Sequence, residues 1–267
     1  MSAGTTALRQ PVWADHRRRV PGAPADLTLH VLPLAEFAPW AFSASGCLSE
    51  LELARAETVQ EVRARELFTV SRVALRHVLA HRLGCRPHEV PVTHDPRTGA
   101  PRPVHGRAAS VSGADDAALP DPAGGVTGSA WSPVTAPVQP VHFSVSRTAG
   151  VVALVTAQRR VGVDVERIQS DVEAGVLLDV LHPADRERLA RLRGRRRASD
   201  VTRTWVRVEA LVKGWETGLS RDPAGIRIGP AARADYGRGW TVSDVRTRSQ
   251  ENARLAVAWQ TDPRPVG

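Results

Sequence analysis

Lysine is almost missing from this chain. Of its 36 Lys and Arg residues only Lys213 is a lysine. A sequence that otherwise writes arginine thus keeps one compact, strongly hydrated ammonium at a single place. Cysteine is scarce as well. Cys47 and Cys85 make neither a disulfide framework nor a CxxC metal pair, which excludes a disulfide-stapled scaffold and predicts reduced thiols in a cytoplasmic protein. No apolar run approaches the roughly 20 residues of a membrane span. Arg17-Arg18-Arg19 leads into Pro-rich sequence, not into the apolar core of a signal peptide. The expectation is a soluble, cytoplasmic protein with no membrane partner. GxGxxG, P-loop and Ser-His-Asp patterns are also absent, so dinucleotide, P-loop and triad chemistries have no foothold. His77, His81 and His88 have no partner at ligand spacing and read as surface or helix-side residues.

What is present is ordinary in bulk and uneven in detail. The chain has 267 residues, 42% of them hydrophobic, enough to bury a sizeable core. Its formal charge of +8 suits an anionic partner, although arginine usage typical of a high-GC genome produces the same balance. The densest basic run, Arg191 to Arg197, has no interleaved aromatics and reads as a solvated loop after a helix, not as a nucleic-acid patch.

Residues 1–26 are polar and basic and read as a disordered lead-in. A strand-like segment follows at Leu27–Leu32. Leu48 to Arg55 suits a short helix capped by Ser49. Leu67, Val70, Val73, Ala74, Val78 and Leu79 recur at helical spacing, and Gly84 closes that helix. Prolines set among Gly, Ala and Ser then erase both periods, marking a mobile insertion at about 102–140. Order resumes with strands at Val141–Ser146, Val151–Thr156 and Val161–Ile168, the last two expected to pair antiparallel through Ala157–Arg160. Helices are expected from about Pro183 to Leu192 and from about Ser199 to Trp215. The second of these has Val201, Trp205, Val208, Leu211, Val212 and Trp215 as its apolar stripe. Trp240–Val242 and Leu255–Trp259 read as closing strands. The class is α+β, with helices ending near Gly84 and Gly218 as a faint sign of two echoing halves.

Chemistry concentrates in two of these elements. In Gly162-Val163-Asp164-Val165-Glu166 the carboxylates alternate with valines, so they share one strand face about 6.6 Å apart. Val161, Val163 and Val165 pack inward, and Gly162 leaves the acidic face open. An oxygen-only pair suits Mg²⁺, which takes one or two carboxylates and completes its shell with phosphate oxygens and water. Asp-x-Glu on its own is equally an acidic strand edge facing solvent. Glu209 and Lys213, at i and i+4 on the long helix, are on their own a salt bridge. Beside a phosphate, Glu209 is instead a ligand or base and Lys213 a counter-charge.

Taken together, Phe143-Ser-Val-Ser146-Arg-Thr-Ala-Gly150, Gly162-Val-Asp-Val-Glu166 and Trp205-x-x-x-Glu209-Ala-x-x-Lys213 resemble the 4′-phosphopantetheinyl transferase superfamily. The order and spacing are similar to its monomeric, two-lobed type, which activates nonribosomal peptide and polyketide synthases. Weaker similarity at Leu48-Ser49, Ser71-Arg72 … Leu83-Gly84 and His182-Pro183-Ala184 extends over nearly the whole chain. The resemblance implies two pseudo-symmetric lobes, each a small antiparallel sheet packed with helices. They would span residues 27–149 and 150–262, with the metal site in the second and a tail at 263–267. It implies that coenzyme A binds with Mg²⁺ (or Mn²⁺) on its pyrophosphate, held by Asp164, Glu166 and Glu209. A serine of an acyl or peptidyl carrier protein then attacks the β-phosphate and 3′,5′-ADP leaves. Glu209, directly or through a bound water, is the implied base, and Lys213 grips the pyrophosphate. Arg72, Ser146 and Arg147 are the implied contacts to the rest of coenzyme A.

This chain departs from the family pattern at four places. Ser146-Arg147 replaces a Ser-His pair, and an arginine serves a phosphate at least as well. Gly99-Ala100-Pro101 lacks the usual cation, for which Arg97 and Arg102 are the neighbouring substitutes. Val208 stands for a lysine and Glu216 for a glycine. These departures keep open a non-catalytic descendant that binds coenzyme A or a carrier protein. The arginine run keeps open a basic nucleic-acid-binding protein.

Overall fold

The computed structural model describes residues 12–93, 140–148, 150–216, 222–237, 239–246 and 252–261. Arg97, Arg102, Ala100, Gly218 and all of the expected insertion except Pro140 lie outside the described residues. Contacts divide the chain into two units, Met1–His16 with Leu32–Pro140 and Arg17–Val31 with Val141–Gly267.

Among its described residues the first unit is built on three helices, α1 (Leu34–Ser43), α2 (Glu50–Thr58) and α3 (Val62–Leu83). Ser49 caps α2 as its position implies. Its hydroxyl accepts from the Glu52 N–H, and the Glu52 carboxylate accepts from the Ser49 N–H in return. The 22-residue α3 ends where Gly84 turns to φ 65°, the left-handed conformation that glycine adopts most readily. Val70, Val73, Ala74 and Leu79 are fully buried on it. The short α1 carries Pro39 inside it, so the sequence does not announce it. Its Phe37 and Trp40 meet Trp13 edge-on.

The second unit holds nearly all of the β structure. Its strands are β1 (Arg17–Arg18), β2 (Thr28–Pro33, whose last two residues pass into the first unit), β3 (His142–Thr148), β4 (Val151–Ala157), β5 (Val161–Arg167), β6 (Arg233–Tyr236), β7 (Trp240–Asp244) and β8 (Ala253–Gln260). They form two four-stranded sheets ordered β1-β2-β4-β3 and β5-β8-β7-β6. Every pair of defined register is antiparallel. Helices α4 (Asp171–Asp179), α5 (Pro183–Ala190) and α6 (Gly194–Gly214) complete it. The protein is α+β, with two antiparallel four-stranded sheets packed with helices, as expected.

Two local expectations need correction. Strand β5 does not form a hairpin with β4, because β4 already has β2 on one edge and β3 on the other. It pairs instead along its whole length with β8, from Val161 opposite Trp259 to Arg167 opposite Ala253. Within this unit β3 pairs with β4 over a seven-pair ladder. The arginine run is a loop only in its first half, at 191–193. Helix α6 begins at Gly194 and takes Arg195 to Arg197 into its first turns, where the Arg197 guanidinium donates to the Asp171 carboxylate at 2.9 Å.

Helix α6 packs on β5, β8 and β7. Val201, Val208 and Leu211 are fully buried with Val242, Ala256 and Ala258, while Trp205 and Trp215 lie half-buried against that core. On the other side of β5, Val161, Val163 and Val165 join Ala153, Val155, Val257 and Trp259. The valine alternation therefore does what it promises, and it hands the even-numbered face of β5 to α6.

Candidate active site

The even face of β5 carries Gly162, Asp164 and Glu166. Gly162 does not leave that face open. A Cβ built there falls 1.9 Å from the Ala210 carbonyl oxygen and 2.5 Å from the Gly214 nitrogen. The glycine is required because the backbone of α6 crosses β5 at this point. That crossing brings the last two turns of the helix, with Glu209 and Lys213, alongside the two strand carboxylates.

Asp164 is the centre of the arrangement and only 2% exposed. Its Oδ1 accepts from Lys213 Nζ at 2.6 Å and from Ser146 Oγ at 2.7 Å. Lys213 also donates to Ser146 Oγ at 3.2 Å. Three side chains from β3, β5 and α6 thus close a triangle. The Lys213 ammonium is spent across elements on Asp164, and not on the i, i+4 bridge to Glu209. Glu166 accepts from Thr148 Oγ1 at a longer 3.4 Å. Burial, reinforced by the neighbouring Asp164 charge, pushes its carboxyl up to about 7, against the opposing pull of Lys213 and Thr148. Burial also raises Glu209, with Asp164 adding to it and Lys213 working the other way. The two glutamates therefore interact electrostatically with Asp164 and with Lys213. An acidic strand edge facing solvent would show none of this.

The other expected site residues are distributed as follows. The Ser146 side chain is buried beside Asp164, with its hydroxyl already committed there. Arg147 follows it on β3 and is exposed on the opposite face. Arg72 belongs to the first unit, on α3, where it is buried with its guanidinium 5.1 Å from the centre of the Phe68 ring. Val208, in the place of a lysine, is a fully buried core residue. Glu216, in the place of a glycine, stands at φ 59°, a conformation that explains the glycine preference and is uncommon for other residues. Its carboxylate contacts His142 Nδ1 at 3.1 Å and lies 3.9 Å from Arg160 Nε.

Two β3 residues beside the site have no place in the expectations. Ser144 and Thr148 flank Ser146 at a spacing of two, and all three hydroxyls point at β5. The Ser-x-Ser-x-Thr alternation of β3 puts them on one face but does not say what that face meets.

A hard divalent cation fits this donor set. The set offers only carboxylate oxygens, and the second oxygen of Asp164 is buried with no hydrogen-bond partner among the described residues. An orphaned buried carboxylate oxygen is costly unless a cation or donor meets it. Among the described residues no three His, Cys, Asp or Glu side chains gather tightly enough to hold a metal by themselves. The fit is therefore to an ion that draws the rest of its shell from elsewhere, as Mg²⁺ does from phosphate and water.

Residues 160–258, which run from β5 into β8 and contain Asp164, Glu166, Glu209 and Lys213, match the family model of the 4′-phosphopantetheinyl transferase superfamily. No curated protein matches the chain significantly. Among the described residues no helix is long and apolar enough to cross a membrane.

Proposed function

We propose that this chain transfers the 4′-phosphopantetheine arm of coenzyme A to a serine of an acyl or peptidyl carrier protein, with release of 3′,5′-ADP. The match over residues 160–258 supports a phosphopantetheinyl transferase in general. The finer reading is a monomeric, cytoplasmic enzyme that serves nonribosomal peptide or polyketide synthases. What carries the proposed transfer itself is the coupling of Asp164, Glu166, Glu209 and Lys213 within the matched segment.

In this reading Asp164 and Glu166, with Glu209, would hold Mg²⁺ or Mn²⁺ against the pyrophosphate. The ion supplies charge neutralisation at the phosphate oxygens. Everything else falls to the chain's own groups. The raised pKa of Glu209 makes it a better proton acceptor, and it takes the proton of the carrier serine. The serine oxygen forms a bond to the β-phosphorus as the bond from that phosphorus to the bridging oxygen breaks. The electron pair of the broken bond leaves with 3′,5′-ADP. Lys213 has one N–H on Asp164 and one on Ser146, and its third is available to a phosphate oxygen. Its charge offsets the negative charge that develops on the departing phosphate. Arg147 on β3 is the cation proposed for the remaining phosphate of coenzyme A.

Intact-protein mass spectrometry of an apo carrier protein tests the proposal. Incubation with this protein, coenzyme A and Mg²⁺ is expected to add one phosphopantetheine mass, and EDTA is expected to prevent the gain. Bound coenzyme A with no mass gain on any of several carriers would overturn the proposal in favour of a binding-only descendant.

A further inference from the structure

Among the described residues, strand β5 is an edge strand of its sheet, with β8 as its only backbone partner. An exposed edge of this kind presents unpaired N–H groups. Here three successive ones are met by side chains of β3. The Val163 N–H donates to Ser144 Oγ, the Val165 N–H to Ser146 Oγ and the Arg167 N–H to Thr148 Oγ1, each at 3.2 Å and each across 19 residues of sequence. The constant offset means that β3 and β5 run side by side in the same direction. Hydroxyls take the place of a backbone ladder.

The same hydroxyls have a second contact, and it is selective. Ser146 donates to Asp164 and Thr148 donates to Glu166, each across 18 residues. Ser144 has no such partner, because the equivalent position is Gly162, where α6 crosses. One repeating unit therefore occurs three times, and its carboxylate arm is present only where the candidate metal ligands stand. A hydroxyl that accepts from the strand and donates to the carboxylate ties the side chain to the backbone that carries it. Hydrogen bonds of this kind orient ligating groups and tune their affinity.

We infer that Ser146 and Thr148 are positioning residues, which aim Asp164 and Glu166 at the cation, and that Ser144 is the purely structural member of the same ladder. The inference rests on the proposed metal site. It also assigns Ser146 to the metal side of the site and not to the remaining phosphate of coenzyme A.

The test is Mn²⁺ binding to the full chain with saturating coenzyme A, read from the electron paramagnetic resonance signal of free Mn²⁺ against a coenzyme A blank. Thermal melts are run beside it. Ser146→Ala and Thr148→Val are expected to weaken Mn²⁺ binding about tenfold, while Thr148→Ser stays within about twofold of wild type. Ser144→Ala is expected to lower the melting temperature and leave Mn²⁺ affinity unchanged. If Ser146→Ala fails to fold, the Thr148 pair decides. Wild-type affinity in Thr148→Val, or an equal loss in Ser144→Ala, overturns the positioning role while leaving the metal site standing. No Mn²⁺ binding by the wild-type chain overturns the metal site and the positioning role with it.

Discussion

Lys213 Nζ lies 2.6 Å from Asp164 Oδ1, so the only lysine of the chain ties the end of α6 to the acidic face of β5. The pair is lopsided, with the lysine side chain 32% exposed and the aspartate side chain 3%. The carboxylate is fixed inside while the ammonium keeps a side toward solvent, and toward any phosphate arriving there. Lys213→Ala is expected to cut turnover about 100-fold at saturating Mg²⁺ and coenzyme A, the scale on which a single charge-stabilising donor contributes. Lys213→Arg is expected to restore only part of it, because a planar guanidinium cannot replace a compact ammonium between Asp164 and Ser146. Steady-state rates with a carrier protein decide. Full activity in Lys213→Ala would reduce the residue to an ion-pair partner.

Asp164→Ala removes the carboxylate on which β3, β5 and α6 converge, and Glu209→Gln keeps the shape of its side chain while deleting the proton acceptor. Loss of a positioned base typically costs about 10²–10⁴-fold. Both variants are expected to retain the wild-type circular dichroism spectrum and to add no phosphopantetheine mass on the wild-type time scale. Near-normal turnover in either one would remove that residue from the proposed chemistry.

The parts legible in the sequence are those governed by local rules. Ser49, Gly84 and the apolar period of α3 specify a cap, a stop and a face within a few residues, and the structure shows all three. The alternating valines likewise reveal β5 and which face its carboxylates share. What they do not reveal is the partner of β5. Pairing with β8 instead of β4 depends on which edges are already filled, and that is settled far along the chain. Helix α4 escapes for a different reason. It leaves Val172 and Val176 facing solvent, so its apolar period does not mark a buried stripe. In the site, Asp164, Glu166, Glu209 and Lys213 stand out by type and spacing. Ser144 and Thr148 do not, since hydroxyls alternating on a strand look the same whether they meet water or a neighbouring edge.

Proton competition at Glu166 gives the site a pH dependence of known sign. Burial and the Asp164 charge hold this carboxyl protonated up to about 7, well above the ordinary glutamate value. A cation needs the carboxylate, so binding must displace that proton. Apparent Mn²⁺ affinity is therefore expected to plateau above pH 7 and to fall as the pH drops, approaching tenfold per unit for one displaced proton, or about 1.4 kcal/mol. Glu166→Gln is expected to bind weakly at pH 8 and to flatten the slope between pH 5 and 7. Binding titrations across that range check it. A midpoint near 4.5 would mean that the carboxyl does not feel its burial.

Gly162 tests whether the site depends on how closely α6 approaches β5. The atoms nearest to a built Cβ are backbone, the Ala210 carbonyl oxygen and the Gly214 nitrogen. No rotamer change can relieve such a clash, and the helix itself must move. Overpacking of this kind typically costs about 1–3 kcal/mol, and a contact to rigid backbone belongs at the upper end. Gly162→Ala is accordingly expected to be destabilised by about 3 kcal/mol in denaturant unfolding. A shift of α6 also carries Glu209 and Lys213 away from Asp164, so Mn²⁺ affinity should fall as well. Ser144→Ala is the comparison, since it weakens the same strand from the side that does not support the helix. If Gly162→Ala lost stability but bound Mn²⁺ as tightly as wild type, the ion would be held by the strand carboxylates alone, and Glu209 would drop out of the ligand set.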